Sequence, residues 1–331
     1  MRDRTAGATR FGGPERGKSH GMGQIVIAEF MEEAAVESLR AAQPTLYDPR
    51  LFEDPAALRA ALADARALIV RNQTRVDAEL LAAAPGLKVL GRLGVGLYNI
   101  DLAACRSREI DVIPASGANA DSVAEYVLLA IGTLLRGAYG ATAEVAAGGW
   151  PRERLIGGRE MAGKTLGIIG FGDIGRRVAR LADAFRMRIL GHDPLISATH
   201  ADWSETKTEM VGLEELLSRA DAVTLHVPLG PGTHGLLSAP QLALMKPDAV
   251  LVNAARGGVV EEAALAAALR EGRLGGAALD VFEVEPLPAG SVLAGVPNLL
   301  LTPHIAGATI ESNARVSSLI AARVLVALAM C

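Results

Sequence analysis

Three side chains that could carry acid–base chemistry each come shortly after an aliphatic run of the sequence. Arg256, Glu285 and His304 all occupy this kind of position. Each would lie at the carboxyl end of a parallel strand, the edge at which doubly wound sheets bind ligands. Taken singly, each residue type is more often a surface or structural residue near a strand end. Together at one edge, they predict a catalytic site.

The three residue types suit hydride transfer at a hydroxyl or carbonyl carbon next to a carboxylate. Arg256 could bind the substrate's carboxylate or its reacting oxygen through its planar fork of donors. His304 could donate a proton to the developing alkoxide in reduction and accept one in oxidation. Glu285, hydrogen-bonded to the imidazole, would orient it and stabilise its positive charge.

A glycine-rich turn between an aliphatic run at 165–169 and an amphipathic segment at 176–181 supplies the carrier of the hydride. In a dinucleotide-binding loop, glycines at this spacing permit the tight turn, the approach of the pyrophosphate and the packing of helix on strand. The phosphates then meet N–H groups at a helix N-terminus. The predicted cofactor contacts in this loop are Gly170, Gly172, Asp173, Ile174 and Gly175.

Asp193 predicts which dinucleotide binds. It ends the next aliphatic run, about 20 residues after the loop, as the dinucleotide fingerprint requires. Its carboxylate would accept hydrogen bonds from the ribose hydroxyls and repel a 2′-phosphate, and no Arg follows it to bind that phosphate. NAD is therefore preferred over NADP. The alternative interpretation is a solvated turn residue.

Composition narrows the class of protein. Of 331 residues, 50% are hydrophobic and 21% charged, so the chain is globular and long enough for two domains. A net charge of −4 without a basic stripe argues against nucleic acid as a partner. Cys105 and Cys331 lack metal-ligand spacing, which predicts no metal, no structural disulfide and a cytoplasmic location. The most apolar predicted helix, 127–135, is too short to span a membrane.

The alternation of aliphatic strands with alanine-rich helices predicts an α/β fold of two doubly wound parallel-sheet domains. Residues 1–23 are predicted to be a disordered extension. Residues 24–121 plus 306–331 are assigned to a substrate (catalytic) domain, and residues 122–305 to a Rossmann NAD-binding domain inserted within it. The last helix is expected to return to the first domain.

Local patterns give the individual elements. Ser122 and Glu125 form an apparent capping box for a helix that runs to about residue 139. The predicted strands are 24–28, 67–70, 88–93, 110–113, 165–169, 188–193, 222–227, 249–253, 276–280 and 298–302. The other predicted helices begin near Met31 or cover about 213–219, 261–270 and 309–330.

The chain resembles the NAD-dependent D-isomer-specific 2-hydroxyacid dehydrogenases from about residue 24 onward. The matching blocks are 91–96, 122–125, 163–172, 225–229, 253–258, 280–286 and 302–307. The resemblance implies that Arg256, Glu285 and His304 are a catalytic triad and that the substrate domain is flavodoxin-like. It also implies a homodimer with helix 122–139 in the interface. Formate is an unexpected substrate because formate dehydrogenases have Gln where this chain has Glu285.

The resemblance also implies further binding residues. Asp280 would hold the nicotinamide carboxamide. The other implied cofactor contacts are His226, Val227, Pro228, Thr233, Asn253, Ala254 and Gly307. The substrate carboxylate would meet the backbone amides of Leu93, Gly94, Val95 and Gly96.

Substrate identity depends on Arg71 and Arg92, which are expected on loops that face the active site in the family. Both could favour a second anionic group, as in phosphoglycerate- or sulfolactate-type acids, or could serve ion pairs or backbone contacts. Glyoxylate and hydroxypyruvate reduction stay open, and so does the handedness of the substrate. Tyr98 and Ser116 depart from the family pattern near the expected cleft. The alternative function is an NAD-sensing corepressor on the same fold.

Overall fold

The computed structural model describes residues 25–331, so the predicted extension at 1–23 lies outside the described residues. The strands are β1 Ile25–Ile27, β2 Thr45–Tyr47, β3 Ala67–Val70, β4 Val89–Arg92, β5 Asp111–Pro114, β6 Thr165–Ile169, β7 Arg188–His192, β8 Thr208–Met210, β9 Ala222–Leu225, β10 Val250–Asn253, β11 Gly276–Leu279 and β12 Leu299–Leu301. The helices are α1 Glu33–Ala42, α2 Pro55–Leu62, α3 Ala78–Ala82, α4 Leu102–Ser107, α5 Ala120–Arg136, α6 Thr142–Ala146, α7 Arg152–Leu155, α8 Asp173–Ala184, α9 Ala201–Glu205, α10 Leu213–Arg219, α11 Ala239–Leu242, α12 Glu262–Arg270 and α13 Ile310–Met330.

The chain divides into two compact units. Unit 1 contains the described residues up to Gly91, Leu97–Ile113 and Ala321–Cys331. Unit 2 contains Arg92–Gly96 and Pro114–Ile320. The boundaries expected from the sequence, after residues 121 and 305, both fall inside unit 2. The assignment of one domain to the substrate and the other to the cofactor stays a prediction.

Unit 1 contains a five-stranded sheet in the order β2-β1-β3-β4-β5, with β1 parallel to both of its neighbours. Its central strands are buried on both faces because they are continuous aliphatic runs, as parallel sheets require. Val26, Leu68 and Leu90 belong to one buried cluster with Leu58 and Leu81 from the covering helices. The edge strand β2 was missed from the sequence because its residues, two partly buried and one exposed, form no aliphatic run.

Unit 2 is a seven-stranded parallel sheet in the order β12-β11-β10-β9-β6-β7-β8. One face packs against α5 and α8, where Ile131 and Val178 share a core with Ile168. The other face packs against α10 and α12 through Leu216 and Leu265. Helices therefore cover both faces, and the predicted α/β class with parallel doubly wound sheets is confirmed.

The strand order of unit 2 reverses at β6, which lies between β9 and β7. Chains leaving β6 and β9 at their carboxyl ends therefore turn to opposite faces of the sheet, and a crevice opens between them. This topological switch point is where the glycine loop begins.

The predicted capping box at the start of α5 is wrong. The helix begins at Ala120, and its N-cap residue Asn119 makes no side-chain cap. The Ser122 hydroxyl instead lies 3.1 Å from Oγ1 of Thr309, and Ser122 is only 6% exposed. A tertiary contact has overridden the local pattern. The helix ends at Arg136, followed by Gly137 in the left-handed conformation at φ 65° that commonly ends helices.

Helix α13 is longer than the apolar helix that the sequence singled out at 127–135. By length and composition alone, its 21 residues could cross a membrane. That is weak evidence, because core helices of soluble proteins meet the same criterion, and Val316, Ile320 and Val324 are buried along it.

Candidate active site

The glycine loop after β6 is shaped by close approaches of backbone. Gly170 has φ 89°, and a Cβ on it would lie 2.5 Å from the carbonyl oxygen of His226. A Cβ on Gly175 would lie 2.3 Å from the carbonyl oxygen of Gly170. Both distances are below any real contact, so the turn can form only with glycine at these two positions.

The N-terminus of α8 is open to an anion. Gly172 is the N-cap residue, makes no side-chain cap, and has no atom within 4 Å of the place where a Cβ would stand. The N–H groups of the first turn thus point into space next to a backbone with no side chain, where the helix dipole favours negative charge. The predicted contacts Asp173 and Ile174 begin this helix. The loop therefore fits the pyrophosphate of a dinucleotide.

Asp193 follows β7 directly and is tied to the glycine loop. Its Oδ2 accepts a hydrogen bond from the Phe171 N–H at 2.8 Å, and its Oδ1 accepts one from the Leu195 N–H at 2.9 Å. Each carboxylate oxygen keeps a further lone pair for a ribose hydroxyl. The Phe171 ring stacks on Trp203 with centroids 4.2 Å apart, so the loop is anchored from below as well.

His226 lies just after β9 and stays neutral. Its Nε2 lies 3.1 Å from Oγ1 of Thr224, and its Nδ1 is buried without a partner among the described residues. Burial lowers the pKa of His226 from 6.5 to about 3. The turn that follows is closed by Thr233, whose hydroxyl donates to the carbonyl oxygen of Pro228 at 2.5 Å. The neighbouring Val227 packs on the core of unit 2.

Arg256 sits on a turn fixed by the side chain of Asn253. Asn253 accepts a hydrogen bond from the Ala255 N–H at 3.0 Å and donates one to the carbonyl oxygen of Arg256 at 3.0 Å. The next residue, Gly257, lies so close to the β11 loop that a Cβ would be 1.8 Å from the carbonyl oxygen of Phe282. The loops that carry Arg256 and Glu285 are therefore in direct backbone contact. Asn253, a predicted cofactor contact, is 2% exposed and acts here as a structural residue.

Glu285 and His304 form the hydrogen bond expected from the sequence. His304 Nδ1 lies 2.7 Å from Glu285 Oε2, and the two side chains are 37% and 34% exposed. The other carboxylate oxygen of Glu285 accepts the Phe282 N–H at 3.0 Å, which holds the carboxylate in place. Because a carboxylate only accepts, Nδ1 carries the proton of this bond and Nε2 faces outward from it.

His304 itself has φ 55°, in the left-handed region that is uncommon for residues other than glycine. Such a conformation costs on the order of 1 kcal/mol and persists only when neighbouring contacts hold it. The contacts come from Asp280, whose two oxygens accept bonds from Thr302 Oγ1 at 2.6 Å, the Ile305 N–H at 2.9 Å and the Ala306 N–H at 2.8 Å. Asp280 is 1% exposed. The carboxylate expected to hold the nicotinamide carboxamide is thus already bonded to the His304 loop.

The segment predicted to bind the substrate carboxylate follows β4. Its residues 93–96 carry the expected backbone amides, and the Gly94 carbonyl accepts the Ala115 N–H at 2.9 Å. Arg92 was expected on a loop that faces the active site, and the structure places it at the end of a strand instead. Arg92 is the last residue of β4, is 6% exposed, and donates from Nη1 to the Leu93 carbonyl at 3.0 Å.

Arg71 lies in unit 1, on the loop after β3. This loop is organised by Glu29, a 3% exposed carboxylate that accepts four consecutive backbone N–H groups. Their distances are 2.8 Å from Arg71, 3.1 Å from Asn72, 3.0 Å from Gln73 and 2.9 Å from Thr74. Sequence reasoning missed Glu29, although an acid directly after a buried strand was the available signal.

The remaining predicted contacts are mostly packing positions. A Cβ on Gly307 would lie 2.3 Å from Asn119 Nδ2, so this glycine permits a close approach after the His304 loop. Ala254 packs against the core on the α5 side of the sheet. Among residues 25–331, no cluster of His, Cys, Asp or Glu side chains could hold a metal ion.

Comparison with known proteins adds independent findings. Residues 128–306 match the family model described as D-isomer specific 2-hydroxyacid dehydrogenase, NAD binding domain. The chain is 54% identical over 296 residues to an (S)-sulfolactate dehydrogenase from Chromohalobacter salexigens, covering 89% of this chain and 95% of that relative. It is 39% identical over 304 residues to a D-3-phosphoglycerate dehydrogenase from Methanocaldococcus jannaschii, covering 92% of this chain but only 57% of that longer relative. The TT0316 protein from Thermus thermophilus has a similar crystal structure, with a TM-score of 0.83, 35% identity, and coverage of 92% of this chain and 97% of the other.

Two glycine variants separate the shape of the loop from its use. Gly172→Ala should lower the free energy of unfolding by no more than about 1 kcal/mol, because the site is open and its φ of −72° suits alanine, which is only a poorer N-cap than glycine. It should raise the Kd for NADH at least about tenfold, since charge-assisted hydrogen bonds to the displaced pyrophosphate contribute about 1.5–3 kcal/mol. Fluorescence titration with NADH measures this, and an unchanged Kd would remove the loop from the cofactor site.

Gly175→Ala is the matched structural variant. Its Cβ would overlap the Gly170 carbonyl oxygen, so the loop must shift. We expect a loss of about 1–3 kcal/mol in the free energy of unfolding, as for other overpacked sites. Urea denaturation of both variants side by side provides the comparison.

Proposed function

Because the chain belongs to the D-isomer specific 2-hydroxyacid dehydrogenase family, we propose that it interconverts a sulfonated 2-hydroxy acid and its 2-keto acid. The broader activity follows from the family itself. The protein is an NAD-dependent oxidoreductase of 2-hydroxy acids, and the predictions of family, enzyme class and nicotinamide cofactor are confirmed.

The hydrogen bond between His304 and Glu285 carries the proposal for the chemistry. With Nδ1 donating to Glu285 at 2.7 Å, the ring nitrogen left for the substrate is Nε2. In oxidation, Nε2 takes the proton of the substrate hydroxyl while Glu285 stabilises the imidazolium that results. In reduction, the same nitrogen returns the proton to the alkoxide. The dyad thus works in both directions without changing geometry.

The bound nicotinamide group supplies hydride transfer to or from C2 of the acid. Arg256 binds the substrate's carboxylate or its reacting oxygen through two parallel N–H donors. The turn that Asn253 closes holds the backbone of Arg256, so little freedom of the main chain is lost on binding. The backbone amides of Leu93–Gly96 are proposed as a second contact with that carboxylate.

The choice of a sulfonate rests on similarity. The chain spans 95% of the (S)-sulfolactate dehydrogenase at 54% identity, but about half of the phosphoglycerate dehydrogenases at 35–41%. A sulfonate and a phosphate are both compact anions that a guanidinium recognises through paired donors. Arg71 is proposed to provide that second anion contact. Arg92 is proposed to act through the Leu93 carbonyl, which it already binds.

A substrate panel tests the reaction and its assignment together. NADH oxidation at 340 nm would be followed with sulfopyruvate, phosphohydroxypyruvate, hydroxypyruvate and glyoxylate, and NAD reduction with both enantiomers of sulfolactate. We expect the highest kcat/KM for the sulfonated pair. His304→Ala should lower kcat by about 10²–10⁴-fold and leave the Kd for NADH unchanged, since general acid–base catalysis contributes this much.

The control is His200→Ala, which removes an exposed histidine at the start of α9 and should change neither constant. A His304→Ala enzyme with normal turnover would remove the acid–base role. A wild-type protein that binds NADH and turns over none of the acids would favour the corepressor alternative.

Asp193 is proposed to select NAD over NADP. Asp193→Ala should raise the KM for NAD by about 10- to 100-fold, because hydrogen bonds between a charged group and the ribose hydroxyls contribute about 1.5–3 kcal/mol. The KM for NADP should change far less, since the removed charge repels its 2′-phosphate. Initial rates with each cofactor measure the ratio. Asp183→Ala, which breaks only a surface ion pair with Lys207, is the control. An unaltered preference would contradict the ribose assignment.

The protein is proposed to be a cytoplasmic homodimer. Between residues 129 and 156 of unit 2, four large apolar side chains are at least 70% exposed, namely Leu129 at 71%, Tyr139 at 70%, Trp150 at 78% and Ile156 at 72%. Burying such side chains is what stabilises subunit interfaces. Both cysteines are free thiols, which fits a reducing compartment.

Light scattering tests the assembly. The wild type should have twice the mass of the 34.4-kDa chain, and Leu129→Asp should shift it toward the monomer because a carboxylate replaces an apolar contact. Leu195→Asp alters a side chain that is 93% exposed outside this segment and should leave the mass unchanged. A monomeric wild type would contradict the proposal.

A further inference from the structure

We infer that Thr302 and Tyr126, acting through Asp280, position His304 for proton transfer. Neither residue belongs to the triad or to the expected cofactor contacts. The inference rests on the proposed acid–base role of His304. All the residues concerned lie in unit 2.

The three bonds of Asp280 bracket His304 along the chain. One reaches Thr302, two residues before it, and two reach the N–H groups of Ile305 and Ala306, directly after it. The backbone of Asp280 is fixed in turn, because its N–H donates to the Asn253 carbonyl at 3.0 Å. Residues 302–306, the His304 loop, are therefore held on both sides of His304 by the buried carboxylate of Asp280.

These bonds explain how His304 keeps its left-handed backbone conformation. Its own N–H donates to the Thr302 carbonyl at 3.0 Å, which closes a tight turn at Thr302. A φ of 55° at a residue with a Cβ persists only where both flanks are fixed. That backbone conformation directs the imidazole toward Glu285. Loss of a bond to Asp280 would therefore lengthen the 2.7 Å bond between His304 and Glu285.

Tyr126 in turn holds the side chain of Thr302. Its hydroxyl lies 2.7 Å from Thr302 Oγ1. Because Thr302 gives its single proton to Asp280, its oxygen must accept from Tyr126, and the bonds run in one direction from Tyr126 to Thr302 to Asp280. Burial is the main cause that raises the pKa of Tyr126, which keeps the phenol protonated as this direction requires. The rigid helix α5 thus holds the His304 loop.

Three variants of the purified enzyme test the inference. Thr302→Val has nearly the same shape as threonine but removes both hydrogen bonds, Tyr126→Phe removes one, and Thr302→Ser keeps both. We expect kcat to fall about 10- to 100-fold in Thr302→Val, as small misplacements of catalytic groups do. The loss should be smaller in Tyr126→Phe and absent in Thr302→Ser. The Kd for NADH should change much less than kcat in all three, because two N–H groups still hold Asp280, and this difference separates positioning from cofactor binding.

A double-mutant cycle shows whether the effect passes through His304. Added to His304→Ala, the Thr302→Val substitution should cause no further loss of kcat, because the group that it misplaces is gone. An additive loss in the double variant would overturn the inference. So would a normal kcat in Thr302→Val.

Amide hydrogen exchange separates this inference from the proposed function. In the enzyme without substrate, the peptide covering residues 302–308 should exchange about tenfold faster in Thr302→Val than in Thr302→Ser, because local opening becomes easier. Equal exchange would overturn the inference that Thr302 and Asp280 hold the His304 loop. Faster exchange together with normal turnover in His304→Ala would support the role of Asp280 in holding the His304 loop. It would contradict both the effect of this loop on catalysis and the acid–base role of His304.

Discussion

The carboxylate of Asp280 is almost completely withdrawn from water, and a buried charge is tolerated only when donors surround it. The donors here are a hydroxyl and two N–H groups from the segment after β12. The hydrogen bonds that satisfy Asp280 therefore hold the segment after β12 against the end of β11. The position of His304 next to Glu285 is therefore tied to the hydrogen bonds of Asp280.

The parallel sheet brings these loops to one edge, and missing side chains bring them into contact. Gly175 lets the glycine loop fold back on itself, and Gly257 lets the Arg256 turn rest on the backbone at Phe282. In both places a single methyl group would separate two backbones that now touch. The geometry of the site is thus set largely by excluded volume, while the hydrogen bonds of Asn253, Asp193 and Asp280 fix the details.

The sequence predicted what depends on local pattern and on the rules of parallel sheets. Strand β6 and helix α10 have the predicted bounds, and the three candidate catalytic residues all follow strands of one sheet. The start of α5 was mispredicted because Ser122 bonds to a residue far along the chain. Arg92, expected on a loop, is instead the buried last residue of β4 and donates to the neighbouring Leu93 carbonyl. Thr302 lies in a family block and Glu29 follows a buried strand, but the roles of these residues and of Tyr126 exist only once distant segments have met.

The four N–H groups that converge on Glu29 have a consequence for substitution at position 71. The loop that carries Arg71 takes its shape from main-chain donors and an internal acid, and none of these bonds involves the side chain at position 71. Every residue except proline supplies the same backbone N–H, so a substitution at position 71 keeps all four donors of this loop on Glu29.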